Sequence, residues 1–149
     1  MEKVFWGVSL LAERPGWDEY FFGIARAVAK RSPCLKNKVG AIAVNPESKR
    51  ILAAGYNGPA VGEPHCTKCR REGLPSGVRF IEKGEPCPAV HAEENVVAMA
   101  ARHGVSIQGC TVYVAGLNYP PKLCPVCRWL LKNAGVKAVI IEGTGEVKL

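Results

Sequence analysis

The chain has 149 residues, 48% of them hydrophobic and 22% charged, with a formal net charge of +7 and seven cysteines. That length makes one domain with room for a proper core, and no repeat or low-complexity tract is present. The composition fits a soluble globular protein, and the basic balance is consistent with an anionic ligand such as a nucleotide or nucleic acid. Seven cysteines without a signal peptide point to the reducing cytosol and metal binding rather than disulfides, so the expected localisation is cytoplasmic. The apolar run Val4 to Leu11 is too short to span a membrane.

Residues 1–16 read as an N-terminal appendage ending at Arg14-Pro15-Gly16, and 17–149 as a single domain. Trp17 to Arg31 places Tyr20, Phe21, Ile24, Ala27 and Val28 at helical spacing, with acids in the first turn and bases in the last. Ser32-Pro33 ends that helix. Val39 to Val44 is an apolar strand buried on both faces, Asn45-Pro46-Glu47-Ser48 a turn, and Ile51 to Tyr56 the antiparallel return. A Gly-, Pro- and Cys-rich stretch, Ala60 to Ala89, follows, and an irregular loop that long requires an explanation. His91 to His103 reads as a helix stopped by Gly104, Thr111 to Ala115 as a strand, the run after Cys124 as a helix closed by Gly135, and Val136 to Ile141 as a strand. Glu146 to Leu149 adds a frayed edge strand or nothing. The order predicts an α/β fold with helices packed on a central mixed sheet.

Two motifs carry the chemistry. His91-Ala92-Glu93 and Cys124-Pro125-Val126-Cys127 each open a helix. A His-x-Glu with a later Cys-x-x-Cys is the zinc-deaminase arrangement, in which the Glu is a proton shuttle and not a ligand. Three N/S ligands leave zinc one open position for water, and the metal lowers the pKa of that water. His91, Cys124 and Cys127 are therefore the expected ligands of a catalytic Zn²⁺ and Glu93 the expected general acid–base. Pro125 suits the first helical position, and a helix N-terminus favours thiolate at Cys124 and Cys127. Glu94 reads as a solvated charge, Asn95 as a structural tie from helix to loop, and Arg102 as a solvated helix-end cation.

The motifs GYNG (Gly55 to Gly58), PHC (Pro64 to Cys66), PSG (Pro75 to Gly77), HAE-x-N (His91 to Asn95) and Cys124-x-x-Cys127 together resemble the bacterial and phage deoxycytidylate (dCMP) deaminases, including the competence-operon-type members. The likeness runs from about Trp17 to Ile141. It implies a three-layer α/β/α cytidine-deaminase-like fold, hydrolysis of dCMP to dUMP and ammonia, and a homo-oligomer, a hexamer or a dimer. The chain departs from the family pattern in having Leu123, not Pro, before the first Cys of the pair, and a longer Gly116 to Lys122 loop. It also has no Tyr soon after the last strand. The resemblance implies a contact of Asn57 with the nucleotide sugar or phosphate, against its reading as a turn residue, and sets Ala92 against the base with its backbone N–H on the base carbonyl. Lys36 and Lys38 flank the first strand as phosphate-binding or plain surface cations, and Tyr119 is placed to close over the substrate.

Cys34, Cys66, Cys69 and Cys87 lie outside the catalytic ligand set. Cys66-x-x-Cys69 has the spacing of half a structural zinc site, and a second Zn²⁺ would supply the order that the long loop cannot obtain from burial. His65 is the substitute ligand, buried small side chains are the competing reading of these cysteines, and Cys110 is read as core. The rival functions are a deaminase of another nucleotide, nucleobase or nucleic-acid base, and a non-catalytic zinc module on the same fold. A nucleic-acid partner is disfavoured because no aromatic-plus-basic tract stands outside the core motifs.

Overall fold

In a computed structural model of the chain, residues 13–75, 79 and 87–149 are described. Most of the expected appendage 1–16 and part of the expected loop after residue 60 lie outside the described residues. Helix α1, Trp17–Ala29, buries Phe21, Ala25 and Ala29. It stops two residues short of the sequence expectation, as the chain turns into Ser32-Pro33. Strands β1, Val39–Val44, and β2, Ile51–Tyr56, fall where their apolar runs place them. Their turn is held by Asn45, whose Oδ1 accepts the N–H groups of Glu47 (2.9 Å) and Ser48 (3.1 Å).

Two-residue strands β3, Gly58–Pro59, and β4, Ala89–Val90, pair antiparallel and bring the chain back beside the end of β2. So short a ladder has no periodicity to read. Helix α2, Ala92–Arg102, begins directly after His91, and strand β5, Thr111–Gly116, follows it. Helix α3, Pro125–Asn133, has Pro125 at its first position. Strand β6, Ala138–Ile141, starts two residues later than expected, and β7, Gly145–Lys148, is a true strand paired antiparallel with it.

The main sheet has the order β2-β1-β5-β6-β7. It is mixed: β5 runs antiparallel to β1 and parallel to β6, with α3 in the crossover. Alternate residues of the central strands feed two cores. Ala41, Ala43, Val112 and Val114 face the side that holds Val96 and Ala100 of α2 and Leu131 of α3. Ile42, Val44 and Tyr113 face Phe21 of α1. The architecture is therefore three layers, α/β/α. Two glycines set how closely the layers approach. A Cβ on Gly40 would lie 2.1 Å from the Ala25 carbonyl oxygen of α1, and one on Gly55 would lie 2.7 Å from Val96 N and 2.8 Å from the Ala92 carbonyl oxygen of α2. Across the layers, Tyr113 Oη donates to Asp18 Oδ1 at 2.7 Å. Among the described residues, no helix is long and apolar enough to cross a membrane.

Candidate metal centre and its cleft

His91 and Cys124 are the residues immediately before α2 and α3, so each stands where a helix presents free backbone N–H groups. Cys127, one turn into α3, is fully buried. The ligand atoms of His91, Cys124 and Cys127 lie within 4.8 Å of one another, and no other group of three or more His, Cys, Asp or Glu converges this way among the described residues. His91 Nδ1 is 3.2 Å from Cys127 Sγ, and the two sulfurs are 2.8 Å apart. A tetrahedral zinc with N and S bonds of about 2.0–2.3 Å spaces its ligand atoms about 3.3–3.8 Å apart, so a small outward adjustment fits this donor set to that metal.

The hydrogen bond with the Cys127 thiol holds Cys124 down to about 4 against burial, with His91 and the Cys127 N–H (3.2 Å from the sulfur) adding to it. Cys127, the proton-bearing member of the pair, is raised far by that bond and then by burial. The arrangement favours thiolate at Cys124, the form that ligates. Glu93 is 4% exposed, and burial pushes its carboxyl up to about 7 despite its backbone hydrogen bond and the nearby His91.

Glu93 lines a cleft together with His91, Ala92 and Cys124. Asn57 and Lys36 line it from the β1–β2 side, and Tyr119, exposed to 58%, from the Gly116 to Lys122 loop. Asn57 is largely committed to the protein. Its Oδ1 accepts the Val39 N–H at 2.9 Å and lies 2.7 Å from Ser32 Oγ, and its Nδ2 donates to the Asn37 carbonyl at 2.9 Å. Lys36 Nζ donates to the carbonyls of Arg71 (2.9 Å) and Leu74. Lys38 is not among the lining residues, and its ammonium donates to the Ser32 carbonyl. Asn95 Nδ2 donates to the Tyr56 carbonyl at 2.7 Å, tying α2 to the end of β2.

Cys34, Cys66, Cys69 and Cys87 are all half-buried and all line this same cleft. Burial raises the Cys34 thiol, and the charges of Cys87, Cys66 and Cys69 act on it in the same direction, so the four share a neighbourhood. Cys34 sits in the connection between α1 and β1. His65 is exposed and flanks a neighbouring depression with Cys66 and Cys69. Cys110 is buried in the core next to Val112, as its sequence position suggested.

Glu94 corrects the sequence reading. It is not a solvated charge: its Oε2 accepts the His91 N–H at 2.8 Å, and its carboxylate pairs with Arg79. Burial works to raise its pKa, but Arg79 and the His91 N–H together hold it below the usual carboxylate value. Arg79 itself has no sequence signal, because it sits in a stretch without periodicity. Arg70 and Arg71 also line the cleft unannounced, and Arg71 Nε and Asn37 Oδ1 are buried polar atoms without a hydrogen-bond partner among the described residues.

A family model described as the cytidine and deoxycytidylate deaminase zinc-binding region matches residues 15–142. The chain belongs to that deaminase family. It is 38% identical over 130 residues to the deoxycytidylate deaminase of Mycobacterium phage D29, covering 85% of this chain and 94% of that protein. It is 34% identical over 128 residues to ComE operon protein 2 of Bacillus subtilis (strain 168), covering 85% of this chain but only 59% of that longer protein. Among solved structures, it is similar to the dCMP deaminase from the cyanophage S-TIM5 in complex with dCMP and dUMP, with a TM-score of 0.62, 30% identity, and coverage of 85% of this chain and 81% of that one. The three-layer architecture and the convergent His/Cys/Cys group are thus those of a zinc-binding deaminase-family member.

Proposed function

We propose that this family member is a zinc-dependent hydrolase that converts dCMP to dUMP and ammonia. The observation that carries the reading is Glu93, a buried carboxyl at the first turn of α2, lining the cleft together with His91 and Cys124. A structural metal site has no need of such a group. The phage relatives named deoxycytidylate deaminase or dCMP deaminase, one of them in complex with dCMP and dUMP, support the choice of substrate.

In this reading His91, Cys124 and Cys127 hold the catalytic zinc. Bound there, zinc would supply the Lewis acidity that brings deprotonation of water into the neutral range. Glu93 accepts the proton of the attacking water, delivers a proton to the ring nitrogen beside the amino-bearing carbon, and protonates the departing amine. The C–N bond breaks as the C–O bond becomes the carbonyl of uracil, so one water is consumed and one ammonia released. Ala92 N–H orients the base through its carbonyl, the remaining N–H of Asn57 Nδ2 meets the sugar, and Tyr119 covers the open side. Lys36, which lines the cleft, supplies positive charge for the phosphate in place of the more distant Lys38, and Arg71 Nε, without a partner among the described residues, is a further donor for it.

We also propose a second, structural zinc drawn from Cys34, Cys66, Cys69 and Cys87, with His65 as substitute; their common cleft supports it. Residues 1–16 form an appendage to a single domain, and the protein works in the cytoplasm as a homo-oligomer. The exposed Val126 and Trp129 of α3 are the apolar surface that a second copy would cover.

Ammonia release tests the reading on dCMP, CMP, deoxycytidine, cytosine and a cytosine-containing single-stranded oligonucleotide. Turnover of dCMP is expected to exceed that of deoxycytidine by a wide margin. Equal efficiency on the nucleoside, or turnover of the oligonucleotide alone, would overturn it.

A further inference from the structure

We propose that Arg79 is a positioning residue for the metal centre, one guanidinium that clamps the start of α2 to the Cys124 sulfur. The proposal rests on the reading of His91, Cys124 and Cys127 as zinc ligands.

Three contacts converge on this side chain. Arg79 Nη1 donates to Glu94 Oε1 at 2.7 Å, and Nη2 donates to Glu94 Oε2 at 3.2 Å. That is a two-pronged carboxylate pair, the geometry in which a guanidinium is most directional. Nη1 also lies 3.7 Å from Cys124 Sγ, within reach of an N–H···S hydrogen bond. The same carboxylate that Arg79 grips takes the backbone N–H of His91 at 2.8 Å. A short chain therefore links two of the expected ligands: His91 backbone, Glu94, Arg79, Cys124 sulfur. The two ligands stand at the starts of different helices with β5 between them in sequence, and no shorter covalent route ties them together.

The pair is sheltered, with the two side chains 28% and 13% exposed, so water competes with it less than with a surface ion pair. Two effects follow. Fixing Glu94 fixes the backbone from which the His91 ring is presented. Donating to Cys124 Sγ withdraws electron density from that sulfur and so tempers its donation to a metal. Groups that contact ligands rather than the metal commonly set both the affinity and the electronic character of a site. Lysine cannot replace the arrangement, because a single ammonium has no planar fork to hold a carboxylate with two prongs while reaching a sulfur. An ordinary stabilising ion pair between Arg79 and Glu94 would affect melting alone.

The test uses the full-length zinc protein and its cobalt-substituted form, as the native chain, Arg79→Ala, Arg79→Lys and Cys124→Ser. Zinc affinity is read by competition with a chromophoric chelator, and the sulfur-to-cobalt charge-transfer band by absorption. Arg79→Ala is expected to weaken zinc binding about 10–100-fold and to move the band to longer wavelength, because the sulfur has lost its donor. Arg79→Lys keeps the charge and remains informative if the alanine variant fails to fold; it should show the same direction of band shift with a smaller loss of affinity. Folded variants with native affinity and native band position, altered only in melting temperature, would overturn the proposal. The Cys124→Ser control separates the two readings. If it leaves metal binding intact, the ligand assignment itself fails. If it abolishes binding while both Arg79 variants are silent, only the role of Arg79 fails.

Discussion

Gly55→Ala adds one methyl group at a close approach between the sheet and the helix that carries Glu93. The new Cβ would stand 2.7 Å from Val96 N and 2.8 Å from both the Ala92 carbonyl oxygen and the Asn95 carbonyl carbon. All three are backbone atoms of α2, so no side chain can swing aside. Restoring ordinary contact requires α2 to retreat by about 0.7 Å. Gly55 has no left-handed φ, so strain in its own backbone does not enter. Overpacking of this kind costs about 1–3 kcal/mol. At this chain length 2 kcal/mol lowers the melting temperature by about 4–8 °C. The second effect is on turnover, because a displacement approaching 1 Å at a reacting group can cost about 100-fold. Scanning calorimetry and ammonia release at saturating dCMP measure the two effects, with zinc content checked on the same samples. Gly23→Ala is the internal control. It lies inside α1, and its new Cβ would meet only the end of the Arg26 side chain at 3.9 Å. Removing that glycine from a helix interior should stabilise by up to about 1 kcal/mol. A Gly55→Ala protein that melts at or above the native temperature and turns over normally would refute the reasoning.

Glu93→Gln keeps the shape of the proposed proton shuttle and removes its function, so turnover should fall by about 10²–10⁴-fold or more with zinc content unchanged; loss of the metal, or near-native turnover, would reject the role. Elemental analysis should give two zincs per chain, falling towards one in the Cys66→Ser/Cys69→Ser double variant. A single zinc indifferent to that change would show the cysteines to be packing groups. Burial first, then Asp18, raises the Tyr113 phenol above its usual value. The unfolded chain releases that proton near pH 10 while the folded chain retains it, so stability is full below about pH 10 and falls above it by about 1.4 kcal/mol per pH unit. Tyr113→Phe should lose this alkaline slope, and identical slopes in the two proteins would contradict the assignment.

The elements with strong patterns were legible before the structure. β1 and β2 match their apolar runs residue for residue, and α2 and α3 begin where acidic residues or Pro125 mark a first helical turn. The convergent His/Cys/Cys group was legible for the same reason, since His91 and the Cys124–Cys127 pair sit at helix starts that sequence can locate. What escaped is contact between segments distant in sequence. Nothing local announces that Arg79 meets Glu94, so Glu94 looked like an ordinary solvated acid. Asn57 looked like a turn or sugar-binding residue, and three protein hydrogen-bond partners around its amide were invisible. β7 was ambiguous because four residues with one apolar position define an edge strand only once β6 is there to pair with.

The antiparallel seam between β1 and β5 also bears on how the chain folds. It sets Val44 beside Thr111 and Val39 beside Gly116, and so encloses everything from β2 through α2. The β1–β2 and β6–β7 hairpins are local and can form on a scale of about 1–10 μs, whereas the seam must wait for two distant stretches to meet, which places the rate-limiting search there. The entropy of that closure grows only logarithmically, about 0.6 kcal/mol for each doubling of the enclosed chain. The number of residues between β3 and β4 is therefore weakly constrained, provided that Gly58–Pro59 still reaches Ala89–Val90. Chain can be inserted at the mouth of the cleft at little cost in closure entropy where it leaves Cys66, Cys69, Arg79 and Cys87 in place, so a fold of this topology can change what it admits without renegotiating its sheet.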